Sequence, residues 1–257
     1  MVEDDETPDP EEAAFLAAYD PGAFERPSVA VDVALLSAFD GALHALLLRR
    51  DQFPFRGRWS LPGGFVRMNE SLEAAAARLL ASKAALNEVF IEQLFTFSDP
   101  HRDPRMRVIA VAYYALVHPA RFKAALEAAD GPEGARLELG RLVVPWEGET
   151  GGPVEVVSSR GEPRPLAFDH ADILGMAVKR IRGKLDYTPI GFQLLPPTFT
   201  LRALQEVHET ILARPLNKDS FRRRMLASGL LEATGEREDE VGHRPAELYR
   251  FVRRSAV

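Results

Sequence analysis

The sequence predicts an α/β protein in which a mixed β-sheet is sandwiched by helices and followed by a smaller domain of two helices and a β-hairpin. Up to Leu185, apolar runs typical of buried strands alternate with Ala- and Leu-rich segments typical of helices. Three prolines between Tyr187 and Thr200 then interrupt the pattern, as at a domain boundary. We therefore expect an N-terminal extension over residues 1–27, a large domain over 28–190 and a small domain over 191–257.

The N-terminal extension begins MVEDDETPDPEE, which is too acidic and polar for a secretory signal. Residues 10–19 favour a short helix that packs Phe15 and Leu16. No apolar run approaches the ~20 residues that a membrane span needs, so we expect no membrane contact. The chain has no cysteine, which excludes disulfide bonds and thiolate metal sites and fits a cytoplasmic protein.

Strands of the large domain are predicted from its apolar runs. Ser28–Phe39 and Ala42–Arg49 are separated by Asp40-Gly41, a dipeptide that favours a hairpin turn. Met106–Val117 predicts a long buried strand, and residues 135–158 predict two or three short strands. These strands form the predicted sheet.

Three helices are predicted to cover this sheet. Residues 70–84 are rich in Ala and Leu and follow Asn69, a suitable N-cap. A Gly- and Pro-rich loop, Phe53–Val66, precedes that helix. The other two helices are expected over Pro119–Ala129 and Phe168–Leu185.

The C-terminal domain has the layout of a winged helix. A first helix, Leu201–Leu212, is broken by Ala213-Arg214-Pro215, and a second, Asn217–Ser228, ends at Gly229. Two short strands, Leu230–Thr234 and Leu248–Val252, form the wing. Helical spacing places these residues on the buried side: Leu201, Leu204, His208, Ile211, Phe221 and Met225.

The charge distribution favours nucleic-acid binding by the C-terminal domain. The net charge is −6, but residues 198–257 carry 11 basic and 9 acidic side chains, which leaves 21 and 29 in the remainder. Between Arg214 and Arg224, five basic side chains stand against Asp219. A basic element on an acidic body suits a DNA-binding module, although a solvated helix face gives the same pattern.

Residues 59–86, WSLPGGFVRMNESLEAAAARLLASKAAL, resemble the Nudix box. That motif runs Gly, five residues, Glu, seven residues, and then Arg-Glu-apolar-any-Glu-Glu-any-Gly-apolar. The matching residues are Gly64, Glu70, Arg78, Leu80 and Leu86, together with the preceding loop residues Trp59, Leu61, Pro62 and Gly63. From this segment alone, an Ala-rich helix after a Gly-rich turn is the alternative.

The metal-binding carboxylates of the box are absent from this sequence. In active Nudix enzymes, carboxylates one, four and five residues after the arginine share a helix face and hold cations that activate water against a pyrophosphate. Those positions are Leu79, Ser82 and Lys83 here, and the glycine that follows is Ala85. The resemblance therefore implies a Nudix-like domain with no catalytic residue, no metal site and no cofactor, in which Glu70 braces the loop.

Further segments resemble Nudix-related transcriptional regulators of NAD metabolism, in which a degenerate Nudix domain precedes a C-terminal winged helix-turn-helix domain. They are 98–114 (SDPHRDPRMRVIAVAYY), 166–189, which resembles the closing helix of that Nudix domain, and 199–251, which resembles the winged helix. The resemblance covers nearly the whole chain past residue 10. It implies a dimeric, repressor-type regulator that binds palindromic double-stranded operator DNA, with ADP-ribose or a related nucleotide as its effector.

A phosphorylated effector needs cationic groups and backbone donors. Arg102, Arg105 and Arg107 lie close together, and the last two would share one face of a strand. Internal salt bridges with Asp99 and Asp103 are the alternative for this run. The expected ligand-binding residues are Arg49, Arg56, Trp59, Gly63, Gly64, Phe65, Glu70, Arg102, Asp103, Arg105 and Arg107.

The second helix of a helix-turn-helix unit enters the major groove of DNA, which assigns that role to Asn217–Ser228. Acidic residues dominate the tip of the wing and should repel phosphate. In the wing we therefore expect DNA contacts only after the tip, where the chain leads into the second strand. The expected DNA-binding residues are Asn217, Lys218, Ser220, Arg222, Arg223, Arg224, His243 and Arg244. A winged helix used for dimerisation alone is the alternative.

Two other classes of protein stay open on these observations. One is a Nudix hydrolase, such as an ADP-ribose pyrophosphatase, with a rearranged metal site. The other is a scaffold that does not bind DNA. Hydrolysis of ADP-ribose with Mg²⁺ distinguishes the enzyme, and a gel shift on the DNA upstream of its own operon distinguishes the regulator from the scaffold.

Overall fold

The computed structural model describes residues 9–128, 137–185, 193–239 and 245–252. The predicted fold class is confirmed: a Nudix-like mixed sheet lies between helices and is followed by a winged helix-turn-helix unit. No helix in these ranges is long and apolar enough to cross a membrane.

Within the described residues the large sheet contains eight strands, of which six follow the order β5-β6-β1-β2-β7-β8, while β3 pairs with β2 and β4 with β1. β1 and β6 run parallel, and the other pairs are antiparallel. The strands are β1 (Ser28–Phe39), β2 (Ala42–Arg49), β3 (Trp59–Ser60), β4 (Gly63–Phe65), β5 (Glu92–Phe97), β6 (Val108–Leu116), β7 (Leu137–Val143) and β8 (Glu155–Val157).

The central strand β1 is apolar on both faces because helices cover both sides of the sheet. Val33 and Leu35 point into a cluster with α2 (Leu72–Ala84) and α3 (Pro119–Ala128). The alternate side chains belong to a second cluster, which includes α4 (His170–Lys184). The predicted bounds of β1 and β2 agree with the structure, and the Asp40-Gly41 turn has positive φ at both residues.

The N-terminus of α2 differs from the prediction. Its N-cap is Ser71, whose hydroxyl accepts a hydrogen bond from the backbone N–H of Ala74 at 3.1 Å, so the expectation of Asn69 is wrong. Asn69 lies two residues before this cap, in a turn closed by the hydrogen bond from the backbone N–H of Glu70 to the carbonyl oxygen of Arg67. The helix ends at Ala85, which has the left-handed φ of 50° and stands where the Nudix box has glycine.

The N-terminal helix α1 (Pro10–Ala18) forms as predicted but does not pack as predicted. Phe15 and Leu16 are 63% and 62% exposed, so the expectation that they are buried is wrong. No residue of α1 is buried, and the ring of Phe15 contacts Tyr19 just beyond the same helix. The helix therefore forms from its Asp9 cap and local sequence rather than from tertiary packing.

The C-terminal unit is a helix-turn-helix beside a three-stranded sheet of order β10-β11-β9. Its elements are β9 (Phe199–Thr200), α5 (Leu201–Leu212), α6 (Lys218–Ala227), β10 (Leu231–Arg237) and β11 (Glu247–Phe251). The six residues predicted for its buried side are all buried. The side chains of Gln205 and Glu209 on α5 bond to the backbone of Leu216 and fix the turn before α6.

The two units share one apolar core. Leu204 and Ile211 of α5 belong to the same buried cluster as Val178 and Ile181 of α4 and Leu36 of β1. α5 therefore packs on the sheet and on its closing helix as well as on its own wing. Any displacement of α5 must break apolar contacts with the large unit.

Candidate functional site

Two adjoining cavities open on the face of the large sheet next to α4. The larger, which we call the aromatic cleft, has a volume of about 720 Å³. The smaller, the glycine-loop cavity, has about 220 Å³, and Arg102 and Phe168 line both. The aromatic cleft is also lined by Phe55, Phe97, Asp99, His101, Thr150, Gly151, Gly152, Asp169, Asp172, Met176 and Lys179. The glycine-loop cavity is also lined by Ala30, Asp32, Leu48, Arg50, Ser60, Leu61, Gly63, Gly64, Phe65, Lys83, Asp103, Arg105, Val108 and His170.

Arg102 separates the two cavities and is 9% exposed. Its Nε and Nη2 donate to both carboxylate oxygens of Asp169, at 2.8 and 2.6 Å, and Nη2 also reaches Asp32 at 3.2 Å. Burial lowers the pKa of Arg102 and the two carboxylates raise it, with a net rise. The guanidinium is therefore held as a cation inside the protein by partners about 70 residues away in sequence.

His170 completes this buried cluster. Its Nδ1 accepts a hydrogen bond from the backbone N–H of Leu61 at 2.9 Å, which leaves Nε2 facing Asp32 at 3.6 Å. Burial lowers the pKa of His170, so the neutral ring with its proton on Nε2 satisfies both contacts. His170 thus ties α4 to the loop between β3 and β4.

Arg105 and Arg107 do not share a strand face, because β6 begins only at Val108. Arg105 forms a two-point ion pair with Asp103, at 3.0 and 2.8 Å, and lies over the ring of Phe65. Its side chain is 44% exposed, at the mouth of the glycine-loop cavity. Arg107 donates to the carbonyl of Ser98 and lies outside both cavity linings.

The motif residues that match the Nudix box hold the loop in place. Arg78 donates from Nε to Glu70 at 2.9 Å and from Nη2 to the carbonyl of Phe65 at 3.1 Å. Glu70 also accepts the backbone N–H of Arg67 at 2.7 Å. The hydrogen bonds from Arg78 lower the pKa of Glu70 to about 2. Glu70 braces the loop, as expected, and lies outside the two cavity linings.

Gly63 and Gly64 are needed for close packing. A Cβ on Gly63 would lie 2.1 Å from Oδ1 of Asp32, and one on Gly64 would lie 2.9 Å from Leu79. The other expected ligand residues divide between the core and the surface. Trp59 is buried in the core, whereas Arg49 and Arg56 are exposed and lie outside both cavity linings.

The helix face that carries carboxylates in the intact Nudix box carries other chemistry here. Leu79 packs against Gly64, and the ammonium of Lys83 donates to the carbonyl oxygen of Gly63 at 2.5 Å. The hydroxyl of Ser82 points back to the carbonyl of Leu79 at 3.4 Å. Within the described ranges, no group of three or more His, Asp and Glu residues is arranged to hold a metal ion.

Several residues that line the cavities are not among those predicted from the sequence. The rings of Phe55 and Phe168 meet edge to face, with centroids 4.9 Å apart, and the guanidinium of Arg50 lies 4.9 Å from the ring of Phe168. Asp32 carried a signal, because it is a lone acid inside the apolar run SVAVDVALLSAF. A charge at such a position requires a buried partner, and that partner proves to be Arg102.

The second candidate site is the surface of α6. Asn217 caps this helix by accepting the backbone N–H of Ser220 at 3.0 Å. Phe221 and Met225 are both 3% exposed and anchor the helix. Five of the expected DNA contacts are exposed on it, together with Asp219, Leu226 and Ala227: Lys218, Ser220, Arg222, Arg223 and Arg224. Arg222 faces Tyr249 of the wing, and Arg224 lies over the ring of Phe221.

Two expected DNA contacts, His243 and Arg244, lie outside the described residues. The described part of the wing has mixed charge. Arg237 donates to the carbonyl of Pro245, and Glu238 accepts the backbone N–H of Ala246.

Two family models match separate parts of the chain. Residues 26–147 match the NUDIX domain, and residues 191–251 match the NrtR DNA-binding winged helix domain. The matched ranges leave out residues 148–190, which contain β8 and α4.

The chain is also similar to individual proteins over most of its length. It is 35% identical to the ADPR responsive transcriptional repressor NtrR of Acinetobacter baylyi, over 94% of this chain and 88% of the relative. It resembles the crystal structure of Shewanella oneidensis NrtR in complex with a 27mer DNA, with a TM-score of 0.68, 33% identity and coverage of 87% and 93%. A MutT/nudix family protein of Enterococcus faecalis gives a TM-score of 0.73 at 26% identity, with coverage of 94% and 93%.

Proposed function

Because this chain belongs to the NrtR family of Nudix-related transcriptional regulators, we propose that it is an ADP-ribose-responsive repressor that binds operator DNA. The observation that carries the proposal is the joining of a nucleotide-type cavity to a basic recognition helix through one shared apolar core. The proposal extends to a cytoplasmic homodimer that acts on genes of NAD metabolism.

The two cavities supply what a dinucleotide-like ligand needs. The rings of Phe55 and Phe168 form an aromatic wall suited to stacking on a base or ribose. Arg105 at the mouth of the glycine-loop cavity and Lys179 in the aromatic cleft are cations that suit a pyrophosphate. Arg102 lies between them, and its bonds to Asp32 and Asp169 suit it to shaping the site, with ligand contact restricted to its remaining donor.

The site does not suit hydrolysis. An Mg²⁺ ion in a Nudix enzyme needs oxygen ligands from α2, and the residues present are an aliphatic side chain, a hydroxyl and an ammonium. The ammonium of Lys83 places positive charge beside the Gly63 carbonyl, where a divalent cation would be repelled. A metal does not fit these residues, and we propose that ADP-ribose is bound without being cleaved.

The α6 surface suits operator binding. Lys218, Arg222 and Arg223 are exposed on a helix whose opposite side is anchored by Phe221 and Met225. Arginine can pair with guanine through two hydrogen bonds, and most other contacts in such interfaces go to phosphate. A homodimer would present two such helices to the two halves of a palindromic site.

Two titrations test the proposed function. ADP-ribose affinity is measured by calorimetry with and without operator DNA, and operator affinity is measured by fluorescence anisotropy with and without ADP-ribose. We expect each ligand to weaken the other by the same factor, because linkage between two binding sites is reciprocal. Equal affinities in both arms would contradict the proposal, and AMP release in the presence of Mg²⁺ would favour a hydrolase instead.

A further inference from the structure

The buried side chain of Arg182 connects the two units. It lies on α4, is 6% exposed, and donates from Nε to the carbonyl oxygen of Ile211 at 2.9 Å. That carbonyl belongs to the last turn of α5, where the carbonyls have no partner within the helix and carry the negative end of the helix dipole. Arg182 therefore caps the helix that leads directly into the turn before α6.

The other end of the same guanidinium holds a loop of the large unit. Its Nη1 donates to the carbonyls of Trp146 and Gly148, at 3.2 and 3.1 Å, and its carbon lies 4.9 Å from the Trp146 ring centroid. The indole N–H of Trp146 donates to the carbonyl of Gly152 at 3.2 Å. This loop, residues 146–152, thus shares one cation with the end of α5.

The same loop forms a wall of the aromatic cleft. Thr150, Gly151 and Gly152 all line it. The loop lies tight against α4, since a Cβ on Gly175 would lie 1.8 Å from the carbonyl oxygen of Gly152. A ligand that displaces this wall cannot push it into α4, so the movement must be passed along the loop to Trp146 and Arg182.

We propose that Arg182 and the 146–152 loop transmit occupation of the aromatic cleft to α5, so that Arg182 is a positioning residue for effector control of DNA binding. The inference rests on the proposed function and adds the route of its regulation. The three hydrogen bonds that Arg182 donates to the described residues go to backbone carbonyls, which are weaker partners than carboxylates and can be exchanged. Displacement of the loop by a ligand would weaken two of these three bonds and release the third to reorient α5 and, through the turn, α6.

The experiment measures the coupling factor, which is the ratio of ADP-ribose affinities without and with operator DNA. Wild type is compared with Arg182→Met, which keeps much of the buried volume and removes the donors, and with Arg182→Lys, which keeps the charge. The matched control is Arg180→Met on the same helix, because Arg180 donates to Leu94 and pairs with Glu92 of the large unit.

We expect Arg182→Met to bind ADP-ribose and free operator within about threefold of wild type, while its coupling factor falls from the 5- to 150-fold range typical of allosteric proteins to below about twofold. Arg182→Lys should have a coupling factor between those of Arg182→Met and wild type, and Arg180→Met should have the wild-type coupling factor. A merely structural role would lower the melting temperature and leave the factor unchanged, and that result would overturn the inference.

Trp146→Phe provides a second test that does not remove the buried cation. It replaces the indole by a smaller phenyl ring that lacks the N–H that holds Gly152, and we expect it to reduce the coupling factor at least threefold. If Arg182→Met does not fold, an unchanged factor in Trp146→Phe overturns the inference. A wild-type factor of one would instead refute the proposed function, so the two failures are distinguishable.

Discussion

The ammonium of Lys83 donates a hydrogen bond to the carbonyl oxygen of Gly63, 2.5 Å away. This contact joins α2 to β4, the short strand that follows the glycine-rich turn. Burial lowers the pKa of Lys83, and Asp32 opposes that shift. Lys83 thus places a positive group against the loop, at a helix position where the Nudix box has a carboxylate.

The first prediction is that ADP-ribose with Mg²⁺ is not turned over. No oxygen cluster is available on α2 to activate water, so AMP release should equal the blank without protein. The assay is AMP detection by chromatography, with an active ADP-ribose pyrophosphatase as positive control. Release at about 1 per second or faster, which is the ordinary range for enzymes, would contradict the assignment.

The second prediction is that Arg105 contributes directly to ADP-ribose binding. Arg105→Ala should weaken ADP-ribose binding on the order of 10-fold, since a charge-assisted hydrogen bond contributes about 1.5 kcal/mol or more. Operator affinity without effector should be unchanged. Calorimetry gives the first affinity and anisotropy the second. An unchanged ADP-ribose affinity would make the Arg105 pair with Asp103 purely structural.

The third prediction concerns stability at the same site. Arg102→Ala removes the guanidinium that pairs with Asp32 and Asp169, and leaves the buried carboxylate of Asp32 with the Nε2 proton of neutral His170, 3.6 Å away, as a weaker partner. We expect a loss of about 3 kcal/mol in the free energy of unfolding. Urea unfolding measures it, with Arg107→Ala as the control that should change little because Arg107 is exposed and bonds a single carbonyl.

The fourth prediction concerns DNA. Arg222→Ala should weaken operator binding and reduce the slope of log affinity against log salt by about one per phosphate contact, or two per dimer. The protein should stay folded because Arg222 is not on the side buried by Phe221 and Met225. Lys123→Ala on α3 is the control, since it removes another exposed positive charge from the large unit. Equal slopes for wild type and Arg222→Ala would place the contact elsewhere.

The fifth prediction is a pH dependence of stability. The pKa of Glu70 falls from its ordinary 4.5 to about 2 when Arg78 bonds it in the folded protein. The stabilisation is therefore present above pH 4.5 and lost as the pH falls towards 2. Glu70→Gln should melt lower than wild type at pH 6, and the difference should vanish near pH 2. Thermal melts across that range test it, and a difference that is constant with pH would refute it.

The sequence predicts most helices and strands well, but it predicts poorly which side chains pair with each other. β1 and β2 were predicted with the right bounds because Asp40-Gly41 marks the turn and the runs are uniformly apolar. β5 was missed because Glu92–Phe97 breaks alternation, and the structure has a register shift between Gln93 and Phe95. β9 was missed because two residues carry no periodicity.

The ion pairs show the same limit at the site. Local spacing suggested Asp99 and Asp103 as partners for the arginine run, and this is correct only for Arg105, which pairs with Asp103. Arg102 instead pairs with Asp32 and Asp169, which only the folded topology brings together. Proximity in sequence therefore identifies ion pairs within one loop, but it does not identify pairs between residues that are distant in sequence and are brought together by the fold.

The shared core of α4 and α5 determines where this chain could be recombined. A chimaera joined at residue 191 would strip Leu204 and Ile211 of the partners that cover them and would delete Arg182 from the end of α5. A functional chimaera has to be joined near His170, so that α4 and the winged helix come from the same parent protein. We therefore expect new effector specificities to arise in such regulators through substitution of cleft residues. Exchange of a whole domain would break the contacts between α4 and α5 and would separate effector binding from DNA binding.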